Sequence, residues 1–181
     1  MGFWSCVRGF CYGFFHRDDI IRSQEALRVL EYGMSPDEAK RVNRELAKIS
    51  TGWAGLFRNF QIISDSIRIA MTSNKPDTAH SRMNLALEKM RESQLIHSFL
   101  MQKEDWDRAT NHVSYKRKLF ETAWRENSVN ALFNKVKTLK TEQSRQKYLA
   151  EINTILEEGM QHPDTNKKVL QELRVKLQGF N

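Results

Sequence analysis

The chain has 181 residues, of which 40% are hydrophobic and 28% are charged, and its formal net charge is +7. This composition is typical of a globular protein and excludes a wholly disordered chain. Two cysteines and five scattered histidines supply neither a four-ligand zinc set nor a disulfide framework, so we expect no metal, no cofactor and a reducing, cytoplasmic setting. No run of 18 apolar residues occurs, and we therefore expect no membrane-spanning helix.

The first segment, residues 1–17, is predicted to be an aromatic amphipathic helix that docks on something. On a helical wheel, one arc of about 140° carries the large side chains. We predict that six of them dock on a partner or a membrane: Phe3, Trp4, Val7, Phe10, Phe14 and Phe15. On the opposite side, Gly9 and Gly13 form a small-xxx-small pair that lets another backbone approach closely.

What covers this aromatic side remains open between the protein's own bundle, a partner and a lipid surface. An interfacial helix usually carries several bases, and only Arg8 precedes Arg17 here. The myristoylation pattern requires Ser or Thr where Cys6 stands, although acylation of Cys6 or Cys11 stays open. A secretory signal is disfavoured because no basic residue precedes the apolar part.

Residues 18–181 are predicted to form a single helical domain, because helix-forming residues are plentiful and breakers are few. A helix from Asp18 or Asp19 to Tyr32 should stop at Gly33. Ser35 is a good N-cap for the helix that follows. We expect an all-α fold of about eight helices, a bundle or a short stack of helical hairpins. The later helices are predicted near 53–71, 77–101, 104–125, 128–139, 143–158 and 164–177.

The whole excess of positive charge lies in the segment 108–147, which favours an anionic partner. Four aromatic residues lie between its bases, as in proteins that stack single-stranded nucleic acid. The helical spacing of Phe120 and Trp124 fits core packing equally well. We predict that ten bases form the anionic-partner patch: Arg108, Lys116, Arg117, Lys118, Arg125, Lys135, Lys137, Lys140, Arg145 and Lys147.

Motifs of catalysis are weak or missing. The string HRDD at 16–19 resembles the start of a kinase catalytic loop, but Ser23 stands where that loop needs Asn. His97 and Gln94 share a helical face with several methionines. This pair could mark a ligand groove or a hydrogen-bonded pair in the core.

Together these features predict a non-enzymatic helical interaction protein, an adaptor or subunit of a larger assembly. It would dock through its N-terminal helix on a protein partner, which could be a second copy, and use the basic patch for an anionic one. The alternative is a nucleic-acid-binding accessory protein that uses the same patch. Contact with the inner face of a membrane is a further option.

Overall fold

The computed structural model describes residues 17–180, of which 87% are helical and none lies in a β-strand. The all-α prediction is therefore confirmed. The helix predicted within 2–16 lies outside the described residues. Seven α-helices follow one another in the described range: α1 Arg17–Tyr32, α2 Pro36–Ile49, α3 Thr51–Thr72, α4 Pro76–His97, α5 Lys103–Thr138, α6 Glu142–Gln161 and α7 Lys167–Gln178.

The turn between α1 and α2 forms as its sequence predicts. Gly33 has a φ of +72°, the left-handed conformation that ends many helices. The Ser35 hydroxyl accepts a hydrogen bond from the Glu38 backbone N–H at 3.3 Å, and Pro36 occupies the first turn of α2. Local capping chemistry alone is enough to fix this boundary.

The break predicted at residues 126–128 is wrong, because α5 continues unbroken through it. The polar side chains there bond to another segment instead of interrupting their own helix. Asn127 donates from its side-chain amide to the Met71 carbonyl at 2.7 Å, and the Ser128 hydroxyl donates to the Asn74 carbonyl at 2.9 Å. Two residues that favour turns in isolation thus anchor the α3–α4 turn on α5.

Gly159 does not end α6 as predicted, since that helix continues to Gln161. The glycine serves packing instead: a Cβ placed on it would lie 2.5 Å from Leu170 Cδ1 and 2.8 Å from Arg125 Cδ. The last helix begins at Lys167, where the Asn166 side chain accepts from the Lys168 N–H at 3.1 Å. Its start is therefore set by a cap after the His162–Pro163 turn.

Two compact units divide the described residues. Unit 1 comprises the residues up to Asp65 together with Ala86–Val113. In its core, Trp106 meets Phe60 edge to face, with ring centroids 5.9 Å apart. Hydrogen bonds from Trp53 to Asp19 and from Ser23 to Asp105 tie α1 to α3 and α5. Unit 1 therefore combines an apolar core with polar ties between its helices.

Unit 2 comprises Ser66–Leu85 and the chain from Ser114 onward. The last part of α5, α6 and α7 together bury its apolar cluster: Val129, Phe133, Val136, Leu149, Ile152, Leu156, Leu170, Leu173 and Leu177. Phe180 extends this cluster by stacking on Phe133, with centroids 4.9 Å apart. The division of the chain into 1–17 and 18–181 stays a prediction.

Candidate partner-binding groove

The residues predicted to dock through the N-terminal segment lie outside the described part of the chain. This applies to the aromatic arc and to the glycine pair: Phe3, Trp4, Val7, Phe10, Phe14, Phe15, Gly9 and Gly13. Their role stays a prediction.

The ten bases of the predicted anionic-partner patch differ in their contacts: some pair with carboxylates, one lies over an aromatic ring, and the others extend towards solvent. Arg108, in unit 1, forms two hydrogen bonds with Glu31 at 2.7 and 2.8 Å. Arg145 pairs with Glu142 at 3.4 Å, and the Lys135 ammonium lies 4.4 Å from the centre of the Tyr148 ring. Arg117 and Arg125 both bind Glu121. The other five lysines are half-buried or exposed: Lys116, Lys118, Lys137, Lys140 and Lys147.

Glu121 forms the most buried ionic cluster of the described residues in α5. Its carboxylate accepts from Arg125 at 2.6 Å, from Arg117 at 2.9 Å and from the Trp124 indole at 3.1 Å. Burial raises the pKa of Glu121, but these three hydrogen bonds outweigh burial and lower the pKa to about 2. Glu121 thus compensates the charge of the buried Arg125 and also pairs with Arg117 within unit 2.

Three of the four aromatic residues interleaved with the bases are buried. Phe120, Trp124 and Phe133 belong to the core, whereas Tyr115 is 59% exposed. A stacking platform for unpaired bases needs aromatic faces open to solvent. Of these four residues, only Tyr115 meets that requirement.

His97 and Gln94 belong to the core of unit 1. A Cβ placed on Gly55 would lie 3.0 Å from the His97 imidazole, so this ring packs on the backbone of α3. Burial lowers the pKa of His97 and favours its neutral form. Gln94 donates to the Thr110 hydroxyl at 2.7 Å. These contacts hold α4 to its neighbours and fit core packing better than a ligand groove.

A groove of about 560 Å³ runs along unit 2 between α5 and α6. We call it the α5–α6 groove. The α3–α4 turn closes one side of it. Twelve residues line the groove: Asn74, Lys75 and Pro76 from the turn, Trp124, Ser128, Ala131, Leu132 and Lys135 from α5, and Glu151, Thr154, Ile155 and Glu158 from α6.

Helical periodicity explains why these residues meet. The α5 residues recur at intervals of three, four or one along residues 124–135, and those of α6 at intervals of three or one along 151–158. Each set therefore forms one continuous helical face. The bonds made by Asn127 and Ser128 bring the turn against the α5 face.

The groove combines apolar surface with charged residues at its rim. Its surface is mostly apolar, and the hydroxyls of Ser128 and Thr154 already donate to the carbonyls of Asn74 and Ala150. Four exposed charged residues stand at its rim: Lys75, Lys135, Glu151 and Glu158. None of them forms an ion pair with any residue that the structure describes. Their charges are available to a partner.

Sequence reasoning missed this groove because it combines three separate segments. The spacing of Glu151, Thr154, Ile155 and Glu158 marks one face of a helix, but nothing in the sequence shows that this face is left open.

Within residues 17–180 no cluster of His, Cys, Asp and Glu is arranged to hold a metal, and none of the helices has the length and apolar character of a membrane-spanning segment. The chain matches no known protein family, no curated protein and no solved structure.

Proposed function

We propose that the protein is a non-enzymatic helical interaction protein, an adaptor or subunit of a larger assembly. It would hold an apolar segment of a protein partner in the α5–α6 groove. The observation that carries this proposal is an apolar groove rimmed by four charged side chains that form no ion pair with any other residue the structure describes. The N-terminal aromatic segment and the basic residues of 108–147 would add further contacts.

The groove has the composition expected of a protein-binding site. Protein interfaces combine an apolar centre with a polar rim, and their energy concentrates where large side chains enter pockets. Trp124, Leu132 and Ile155 supply apolar surface here, and the rim charges favour one orientation of the partner. About 560 Å³ accommodates several side chains of a partner segment.

Nucleic-acid binding through the basic patch is supported less well. The arginines at 108, 117, 125 and 145 are engaged by carboxylates, and most of the interleaved aromatic residues are buried. Binding of an anionic protein surface would need only the exposed lysines of the patch.

We also propose a cytoplasmic setting, with contact at the inner face of a membrane as an option.

Selection from a library of displayed random peptides tests the proposal. The intact chain should enrich peptides that share apolar residues. The Ala131→Trp variant, which fills the groove, should lose their binding by at least about tenfold, since the large apolar anchors dominate such interfaces. Ala150→Trp is the matched control, because Ala150 is exposed on α6 and does not line the groove.

Three results would contradict the proposal. One is that no peptide is enriched above an unrelated helical protein. Another is that the enriched peptides bind Ala131→Trp as tightly as the unaltered chain. A loss of binding in Ala150→Trp of the same size would also count against the groove.

A further inference from the structure

The charged residues of the α5–α6 groove differ in sign between its two walls, which are formed by α5 with the α3–α4 turn and by α6. Lys135 belongs to α5, and Lys75 belongs to the α3–α4 turn that Ser128 ties to α5. Glu151 and Glu158 both belong to α6. By helix of origin, one wall therefore carries two lysines and the facing wall two glutamates, while the Lys135 ammonium itself extends to Tyr148 of α6, 4.4 Å from the centre of that ring.

The two glutamates of α6 are spaced by about two helical turns. Glu151 and Glu158 are seven residues apart on α6, which corresponds to about 10.5 Å along the helix axis. Lys135 is seven residues from Ser128, whose hydroxyl binds the carbonyl of Asn74, the residue before Lys75. Side chains seven residues apart on a partner helix repeat at the same distance.

The bottom of the groove favours a helix over an extended strand. Ser128, Ala131 and Thr154 are small, so they leave space for a partner helix to come close. An extended segment needs hydrogen-bond partners for its backbone, but the backbone groups of α5 and α6 are already paired within their helices. The hydroxyls of Ser128 and Thr154 are also engaged. A helix satisfies its own backbone and needs none of these groups.

From this arrangement we infer that the groove binds an amphipathic α-helix of a protein partner, with an acidic flank and a basic flank on either side of its apolar stripe. The acidic flank lies against Lys75 and Lys135, and the basic flank lies against Glu151 and Glu158. This inference rests on the proposed function and specifies the partner. Because reversing a helix exchanges its flanks, the flank that is acidic determines the direction in which the partner helix lies in the groove.

Three synthetic 21-residue peptides test the inference by fluorescence anisotropy. They share one apolar stripe and differ only in their flanks, which are acidic and basic, both acidic, or both basic. The intact chain should bind the mixed peptide about tenfold more tightly than either of the others, because each of those brings like charges against one wall. Circular dichroism should show added helix when the mixed peptide binds.

Charge reversal on one wall should change the preferred peptide. The double variant Glu151→Lys with Glu158→Lys should prefer the doubly acidic peptide. Lys75→Glu with Lys135→Glu should prefer the doubly basic one. All four residues are exposed, so these variants should fold. Lys167→Glu with Lys168→Glu changes the net charge by the same amount as the lysine pair, at exposed residues outside both the groove and the basic patch, and should keep the original order.

Each remaining outcome overturns the inference in a distinguishable way. Equal binding of the three peptides, lost in Ala131→Trp, would reject the charged flanks and leave the groove as a binding site. Failure of all three, while library peptides still bind in the groove, would reject a helical partner. The same order of affinity in every variant would show that the four charged residues do not select the partner. A control variant that changes the order as the groove variants do would show that net charge, rather than the two walls, determines binding.

Discussion

At the scale of single residues, the ionic cluster around Glu121 sets the clearest expectation for stability. Arg125 is buried, and its guanidinium also lies 4.4 Å from the centre of the Trp124 ring. Glu121→Gln keeps the shape of the side chain but leaves this buried cation without its anion. The free energy of unfolding, measured with urea, should fall by about 3–5 kcal/mol.

Glu142→Gln is the matched control for this variant. Glu142 pairs with Arg145 on the surface, where solvent screens the interaction. Its loss should change the free energy of unfolding by less than about 0.5 kcal/mol. Equal effects of the two substitutions would show that the Glu121 cluster contributes no more than a surface pair.

The lowered pKa of Glu121 also predicts how stability depends on pH. Its pKa is about 2 in the folded protein against an ordinary value of 4.5. The stabilisation is therefore fully present above about pH 4.5 and is lost as the pH falls towards 2. A difference of this size corresponds to about 3 kcal/mol.

Unfolding of the unaltered chain and of Glu121→Gln at pH 5, 4 and 3 measures this contribution directly. Other carboxylates titrate in both proteins, so their shared effects cancel in the difference. The difference in the free energy of unfolding should become smaller as the pH falls. A constant difference across this range would contradict the lowered pKa.

At the scale of elements, Gly159 controls how closely α6 packs on α7. Gly159→Ala adds a methyl group within 2.5 Å of Leu170 Cδ1. Alanine favours a helix by up to about 1 kcal/mol over glycine, but overpacking costs about 1–3 kcal/mol. We expect a net loss of about 1–2 kcal/mol in the free energy of unfolding, measured with urea.

Gly52→Ala provides the comparison in α3. A Cβ there would lie 3.5 Å from Leu100, which is an ordinary contact. This variant should be neutral or more stable by up to about 1 kcal/mol. A stabilising effect of Gly159→Ala would show that Leu170 and Arg125 move aside at little cost.

The same helices show which boundaries could be predicted from the sequence and why the other boundary predictions were wrong. Gly33 and Ser35 mark their boundary through backbone conformation and capping, which are local properties, so that prediction was confirmed. Asn127, Ser128 and Gly159 resemble helix breakers when considered alone. Their roles depend on partners far along the chain, namely the carbonyls of Met71 and Asn74 and the side chain of Leu170. Local propensity carries no information about such partners.

At the scale of the whole molecule, positive charge is concentrated in one of the two units. Unit 2 contains sixteen Lys and Arg against nine Asp and Glu, which accounts for the entire net charge of +7. The sequence revealed the excess in 108–147, but not that carboxylates engage several of its arginines. The sequence gives the position of each charged residue along the chain, whereas its ion-pair partner depends on the fold.

This distribution predicts weak, nonspecific binding to nucleic acid. A random 20-nucleotide single-stranded DNA should bind no more tightly than about 1 µM at 150 mM salt, and raising the salt should weaken it steeply. Fluorescence anisotropy measures both. Nanomolar binding that falls at least tenfold in Tyr115→Ala would instead favour the nucleic-acid alternative, since Tyr115 is the exposed aromatic of the basic segment.

The α5–α6 groove could not be predicted from the sequence because an open surface is a property of the assembled unit. A second exposed apolar group, Leu95, Ile96 and Phe99 in unit 1, shows that competing surfaces exist. Leu95 and Ile96 belong to α4 and Phe99 to the turn that follows it, so this surface can be distinguished from the groove. We therefore expect a partner to occupy the groove and not this other surface.

Amide hydrogen exchange, with and without a peptide selected on the intact chain, tests that claim most directly. Bound peptide should slow exchange in residues 124–135 of α5, in residues 151–158 of α6 and in the turn at 74–76. The same peptide should give no protection when added to Ala131→Trp. Protection confined to residues 95–99, or protection that persists unchanged in Ala131→Trp, would contradict the account.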